Sequence, residues 1–270
     1  MIKMIVTVFI ILVAPFSSAQ ETLSFAVVPQ QSASKLAKIW TPIIEQLSLN
    51  SGVNIKFTTA PDIPTFEKRL SEGQYDIAYM NPYHYIVFNQ SIGYQAISKA
   101  RDKKIKGIIV VAKNGLINEL TDLNNSTLAF PAPAAFAATI LTQATLNANN
   151  VNFKAKYVSS HDSVYLTVAK GIYPAGGGVL RTFNNIDPSI RSQLRILSTT
   201  QGYTPHAIAV HPRVIKAQQF KIQRELNALE KTKSGQILLD SINIKGFESA
   251  TDSDWNDIRQ LELSVNTGLK

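Results

Sequence analysis

The residues able to do chemistry are few and dispersed. Four histidines stand at 84, 161, 206 and 211, and no cysteine occurs. Hydrolysis or group transfer needs a nucleophile beside a base, a carboxylate pair or a metal cluster. The chain has no G-x-S-x-G elbow and no H-E-x-x-H pair. His206 and His211 flank an expected strand end, where their side chains diverge. A metal site from His84, His161 and His206 would require three distant segments to converge, and neither a metal nor a cofactor is expected. The triple glycine Gly176-Gly177-Gly178 lacks the G-x-x-x-x-G-K-S/T pattern of a phosphate-cradling loop, and no helix clearly follows it in the sequence. It reads instead as backbone passing close to a ligand or to another lobe.

Binding chemistry is better represented. In "DIAYMNPYHYIVF", Asp76 to Phe88, a buried strand runs into aromatics and a helix start. Tyr79 and Tyr83 either line a pocket or are half-buried aromatics with wet hydroxyls. Met80 points to the face opposite Tyr79. Asn81 before Pro82 has the form of a helix N-cap, and His84 covers the helix surface or touches a ligand. Gln30, Gln31 and Ser32 stand where a first helix begins, fit for capping or for hydrogen bonds to a ligand. His161, after a strand and at a helix start, is placed for an anion.

These positions imply their scaffold. Leu23–Val28 reads as a strand, and Leu36, Ile39, Trp40, Ile43, Ile44 and Leu47 form one face of a helix that Pro42 kinks. Strands at 54–59 and 75–79 bracket a short helix closed by Gly73; a helix at 83–88 and an extended segment at 94–98 follow. A second series begins at Gly107, with strands at 108–111, 127–130, 154–158, 194–197 and 207–210. Helices are expected at 134–147, 163–169, 214–229, 236–242 and 255–265. This alternation predicts an α/β chain with two mostly parallel sheets flanked by helices. Ligands of such sheets sit outside the strands' carboxyl ends. That selects the junctions 29–34, 80–84, 131–136 and 159–162.

Composition sets the setting. The 270 residues are 45% hydrophobic and 17% charged, with 27 Lys and Arg against 19 Asp and Glu, a net charge of +8. Lys3, an apolar run to Phe16 and the small residues Ser17, Ser18 and Ala19 form a secretory signal, cleaved after Ala19 and too short to span a bilayer. Without cysteine there are no disulfides and no lipid-anchoring thiol. The basic charges read as scattered singly, which with export argues against a nucleic-acid partner.

With these residues in view, the chain resembles the periplasmic substrate-binding proteins of phosphate, phosphite and phosphonate ABC importers. The likeness rests on "FAVVPQQSASKLAKIWTPIIEQL", "APD" at 60–62, "YDIAYMNP", "SSHDSVYLTVAKG" and "ESATDSDWNDIRQLE". It implies a two-lobed periplasmic-binding fold of the second type: lobe I from 20–104 and 206–270, lobe II from 105–205. Hinges are expected near 103–107 and 202–206. It also implies a monomer in the periplasm that carries a small-molecule ligand to a membrane permease and does no chemistry on it. The alternatives are a sensor feeding a histidine kinase and, behind it, a periplasmic enzyme on the same scaffold.

Residue by residue, the family's ligand set is mostly replaced. Its two tyrosines fall on Ile63 and Met80, and its Ser-Thr-Ser run on Ala134, Ala135 and Phe136. Its amine-receiving acid falls near Pro174, and only its histidine survives, as His161. Hydrogen bonds to a charged group contribute about 1.5–3 kcal/mol each. Losing several predicts weak phosphonate binding. What remains for a small anion is the backbone amides of Ala135 and Phe136, His161, and stacking on Tyr79, Tyr83 or Phe136.

Overall fold

The structure, a computed structural model, describes residues 21–261. The expected signal peptide, and the end of the helix expected at 255–265, lie outside those residues. The first half runs β1 Leu23–Val27, α1 Ala33–Ser51, β2 Ile55–Thr58, α2 Ile63–Ser71, β3 Ile77–Met80, α3 Pro82–Ser91 and β4 Gln95–Ala100. The second begins with β5 Gly107–Ala112 and β6 Ser126–Phe130, then a π-helical stretch Phe136–Leu141 that continues into α4 Thr142–Ala148. It proceeds through β7 Phe153–Tyr157, α5 His161–Ala169, β8 Ala175–Val179, α6 Leu180–Asn184, α7 Pro188–Arg191 and β9 Leu194–Thr199. The chain closes with β10 Ala207–Val210, α8 Lys216–Ala228, α9 Lys233–Ser241, β11 Phe247–Ser249 and α10 Asn256–Arg259.

Two sheets form, in the orders β11-β4-β10-β3-β1-β2 and β7-β6-β8-β5-β9. They are mixed, which corrects the expectation of mostly parallel sheets. β1 runs parallel to β2 and β3, and β6 parallel to β7 and β8. The remaining pairings are antiparallel. In the first sheet a return strand, β10, arrives from the other sheet and inserts between β3 and β4, antiparallel to both; in the second, β5 enters from the first sheet and lies antiparallel to β8 and β9. Local periodicity carries no information about such an insertion.

Helix α1 buries Leu36, Trp40, Ile43, Ile44 and Leu47, the face its spacing defined, and it continues through Pro42. Ser32 caps it, and Gly52 ends it at φ 64°, a left-handed conformation that favours glycine. Strands β3 and β8 are buried along their whole length. In β8 the triple glycine has a packing cause and lies inside the second sheet. A Cβ on Gly177 would stand 2.0 Å from the Ala138 carbonyl oxygen, and one on Gly178 2.4 Å from the Tyr165 hydroxyl. Helices from both faces press on this strand closely enough that only hydrogen fits.

Two segments join the sheets, 101–106 and 200–206. They pair with each other: Ile105 donates to the Tyr203 carbonyl at 2.8 Å, and Tyr203 returns the bond to Ile105 at 3.0 Å. Apolar packing is continuous from the first sheet to Ala135, Phe136, Ala137, Ala138, Ile140 and Val179 on the far side. The lobes are therefore in direct contact.

Candidate ligand-binding cleft

All four strand-to-helix junctions singled out by sequence meet at this contact. The backbone N–H of His161 donates to the Gln30 carbonyl at 3.1 Å, which ties the start of α5 to the start of α1. The Arg181 guanidinium donates to the Gln30 side-chain oxygen. Asn81 donates through Nδ2 to the Ala134 carbonyl at 3.1 Å, and the Lys35 ammonium to the Asn185 carbonyl at 2.6 Å. Gln31 reaches Asp162 at 3.5 Å. Each bond runs from one sheet's helices to the other's.

The expected site residues separate on inspection. Gln30, Gln31, Tyr79, Asn81, Ala135, Phe136 and His161 are buried at the interlobe contact. Ser32 is not among them: it is exposed, and its side chain accepts from the Lys35 backbone N–H as the cap of α1. Tyr83 is half-buried against the core of the first lobe. Ala135 does not present a free amide, because its N–H donates to the Ala132 carbonyl at 3.2 Å. His84 lies fully inside, where its Nε2 is 2.8 Å from Glu67 Oε1 and 3.0 Å from Asn81 Nδ2. Asn81 is both the N-cap of α3, accepting from the His84 N–H at 2.8 Å, and an interlobe donor.

Two compartments of the interlobe space share Ile105 and Val179 as walls. The first lies at the helix starts, among Gln30, Ile63, Asn81, Phe136 and His161, and measures about 10 Å³. That is room for about one water molecule. The Phe136 ring occupies the region, packed edge-on against Tyr203 with centroids 5.9 Å apart. The second compartment, beside the crossing segments, measures about 130 Å³ and is lined by Tyr79, Lys103, Arg181, Asn184, His206 and Ile244 among others.

Electrostatics in both compartments are governed by burial and by Arg181. Burial, with the nearby Arg181 charge, depresses His161 to about 3, so the imidazole is neutral. Its Nδ1 lies 3.1 Å from the Thr182 hydroxyl. His206 is held well below its ordinary value by burial and then by Arg181. Desolvation raises Tyr79, partly offset by Arg181. Two neutral histidines and a protonated tyrosine thus surround one guanidinium. Among the described residues no group of three or more His, Asp or Glu side chains is assembled that could hold a metal ion.

Sequence reasoning missed Arg181, Lys35 and His206 as cleft residues. The amine-receiving acid of the resembled family falls near Pro174, and Pro174 is exposed ahead of β8, at the end away from the cleft. The segment that reaches the cleft is Val179 to Arg181, so a cation stands there. The run Arg101-Asp102-Lys103-Lys104-Ile105-Lys106 was a usable signal: these basic residues are grouped, not scattered, and they occupy a crossing segment.

Comparison with known proteins agrees with this architecture. A binding-protein component of an ABC phosphonate transporter from Pseudomonas aeruginosa superposes with a TM-score of 0.83 at 17% identity, covering 90% of this chain and 86% of that one. PhnD1 from Prochlorococcus marinus, in complex with methylphosphonate, gives a TM-score of 0.82 at 20% identity, covering 88% and 96%. XAC2383 from Xanthomonas citri, bound to chloride, gives 0.68 at 14% identity, covering 88% and 95%. At these identities the likeness establishes the two-lobed type II periplasmic-binding fold. The family model described as ABC transporter, phosphonate, periplasmic substrate-binding protein matches residues 25–255, and the chain belongs to that family.

Proposed function

We propose that the protein captures one small anion between its lobes and delivers it to an ABC permease, acting as a monomer and performing no chemistry on its cargo. In this reading residues 1–19 are a signal removed on export, 20–104 with 206–270 form lobe I, and 105–205 form lobe II. The carrying observation is the set of polar bonds from Gln30, Asn81 and Lys35 of one lobe to Arg181, His161, Ala134 and Asn185 of the other. Such contacts exist only when the lobes are shut, and two paired crossing segments are the arrangement about which a hinge can turn.

The relative from Prochlorococcus marinus is in complex with methylphosphonate. This chain offers that ligand little. The hydroxyl-bearing positions expected from the family are Ile63, Met80, Ala134, Ala135 and Phe136, all buried and none with a side-chain donor. The test is a thermal-shift and calorimetric panel of phosphate, phosphite, methyl- and aminoethylphosphonate, other oxyanions and small organic acids. A ligand at a hundred times its Kd adds about 2.7 kcal/mol of stability. We expect a clear shift from a small anion and little from the two phosphonates. A panel in which no anion stabilises the protein overturns the reading.

A further inference from the structure

We infer that the ligand seat is the cavity beside the crossing segments, and that it selects an organic monoanion with a short apolar or aromatic tail. This rests on the clamp reading above but relocates the ligand away from the helix starts. The helix-start compartment, about 10 Å³, is filled by Phe136, whereas the neighbouring cavity offers about 130 Å³. An apolar cavity of ~150 Å³ accommodates a benzene ring. The tail therefore fits if the anion has roughly six to nine non-hydrogen atoms, with its charged end toward the mouth.

The lining specifies the charge. Lys103, Lys104, Lys106 and Arg181 all border the cavity, and no carboxylate does. Lys104 is paired outside it with Asp257 at 3.7 Å. Arg181 bonds to the neutral Gln30 side chain, and among the described residues no carboxylate lies within ion-pair distance of it. The crowding is felt: burial, Arg181 and Lys245 hold the Lys103 ammonium below its usual range. An anion would relieve this excess, and a planar carboxylate matches the guanidinium fork.

The remaining wall specifies the tail, and one of its residues carries an unmatched buried nitrogen. Tyr79 stacks on His206 with centroids 4.8 Å apart and planes 17° from parallel. Val179, Leu180, Ile105, Pro205 and Ile244 complete an apolar surface. His206 is 3% exposed, and its Nε2 is buried with no hydrogen-bond partner. Nε2 has no surface open to the cavity as it stands, so a ligand reaches it only after the imidazole turns, and the cost of leaving a buried polar atom unmatched favours that turn. The cavity also spans both lobes, with Tyr79, Ala100 and His206 facing Val179 to Asn184. A ligand there would hold them together.

The test is calorimetry with butyrate, benzoate, methylphosphonate and inorganic phosphate, with benzyl alcohol as the neutral control, on the wild type, Arg181→Gln, Arg181→Lys and His206→Phe. Butyrate or benzoate is expected to bind the wild type, benzyl alcohol not. Arg181→Gln should weaken that binding about ten- to hundredfold, the value of a charged hydrogen bond. Arg181→Lys should retain part of it. His206→Phe, which keeps the stack on Tyr79 and removes Nε2, should weaken it severalfold without loss of the folded far-ultraviolet spectrum. Binding of phosphate or methylphosphonate that is unchanged in Arg181→Gln and His206→Phe would overturn this seat and leave the clamp reading standing. Absence of binding by both butyrate and benzoate would overturn the seat, and the anion reading falls with it only if the wider panel of oxyanions and organic acids also gives no response.

Discussion

Tyr79 and His206 lie face to face at 4.8 Å, and the pair joins the last turn of β3's register to the point where the chain returns from the second lobe. Trp40 of α1 closes the other side of Tyr79, with centroids 4.7 Å apart. An aromatic column thus runs from a surface helix to the cleft wall. Its inner end is an imidazole that burial keeps neutral.

That neutrality has a consequence for pH. His161, at about 3, and His206, also well depressed, bind no proton in the folded protein at pH 5, whereas in the unfolded chain histidine protonates near 6.5. The unfolded state therefore holds more protons below that value. Stability contributed by these groups is present above about pH 6.5 and declines as pH falls, by up to ~1.4 kcal/mol per pH unit for each histidine. Urea unfolding between pH 7.5 and 4.5 should show the decline. Replacing His161 or His206 by Phe should flatten it, and an unchanged slope in both variants would contradict their buried neutral state.

Phe136 fills the helix-start compartment from lobe II and meets Tyr203 of a crossing segment. It is 1% exposed. Truncating a buried phenylalanine to alanine costs about 3–5 kcal/mol where the surroundings do not collapse. Phe136→Ala should lose stability in that range by chemical denaturation. A loss under about 1 kcal/mol would show that the ring is not packed as described.

Lys35 reaches across the mouth of the cleft to the Asn185 carbonyl at 2.6 Å, far from either sheet's centre. Replacing it with Met removes one interlobe bond and leaves each lobe's own core intact. Surface changes of this kind move global stability by about 0.5 kcal/mol or less. Loss of a charged hydrogen bond still biases the lobes toward separation. Lys35→Met should therefore unfold at nearly the wild-type denaturant midpoint while its radius of gyration in solution scattering increases. Equal radii for the two proteins would mean that this bond does not hold the lobes together.

What was readable in the sequence divides along a physical line. Helix α1, β1 and β3 were legible because burial of one face imprints a local period, and the four junctions followed from them. The insertion of β10 between β3 and β4 was not, since strand order is settled by contacts more than a hundred residues apart. Arg181 escaped notice for the same reason. It stands on a five-residue helix directly after a glycine-rich strand, and only the approach of Gln30 from the other lobe gives it meaning. Ser32 shows the converse, a residue whose local form suited two roles and in which the structure displays the capping one.

The glycines of β8 present the sharpest case of a motif whose purpose is packing. Gly177 faces the π-helical stretch: an added Cβ would lie 2.0 Å from the Ala138 carbonyl oxygen, 2.7 Å from the Phe130 ring and 2.8 Å from the Thr142 hydroxyl. Two of those three neighbours have no freedom to retreat. The carbonyl belongs to backbone, and the Thr142 hydroxyl is engaged with that same oxygen at 2.7 Å. Overpacking in cores costs about 1–3 kcal/mol and more where backbone must shift. Gly177→Ala should fall at or above the top of that range in urea unfolding, with the helix over Phe136 displaced toward the cleft. Because Phe136 leads that helix, the same variant should disturb the interlobe contact, readable as loss of the edge-on ring contact with Tyr203 in nuclear Overhauser spectra. A Gly177→Ala protein as stable as wild type would mean that helix and strand do not approach as closely as described here, and that the triple glycine serves the ligand after all.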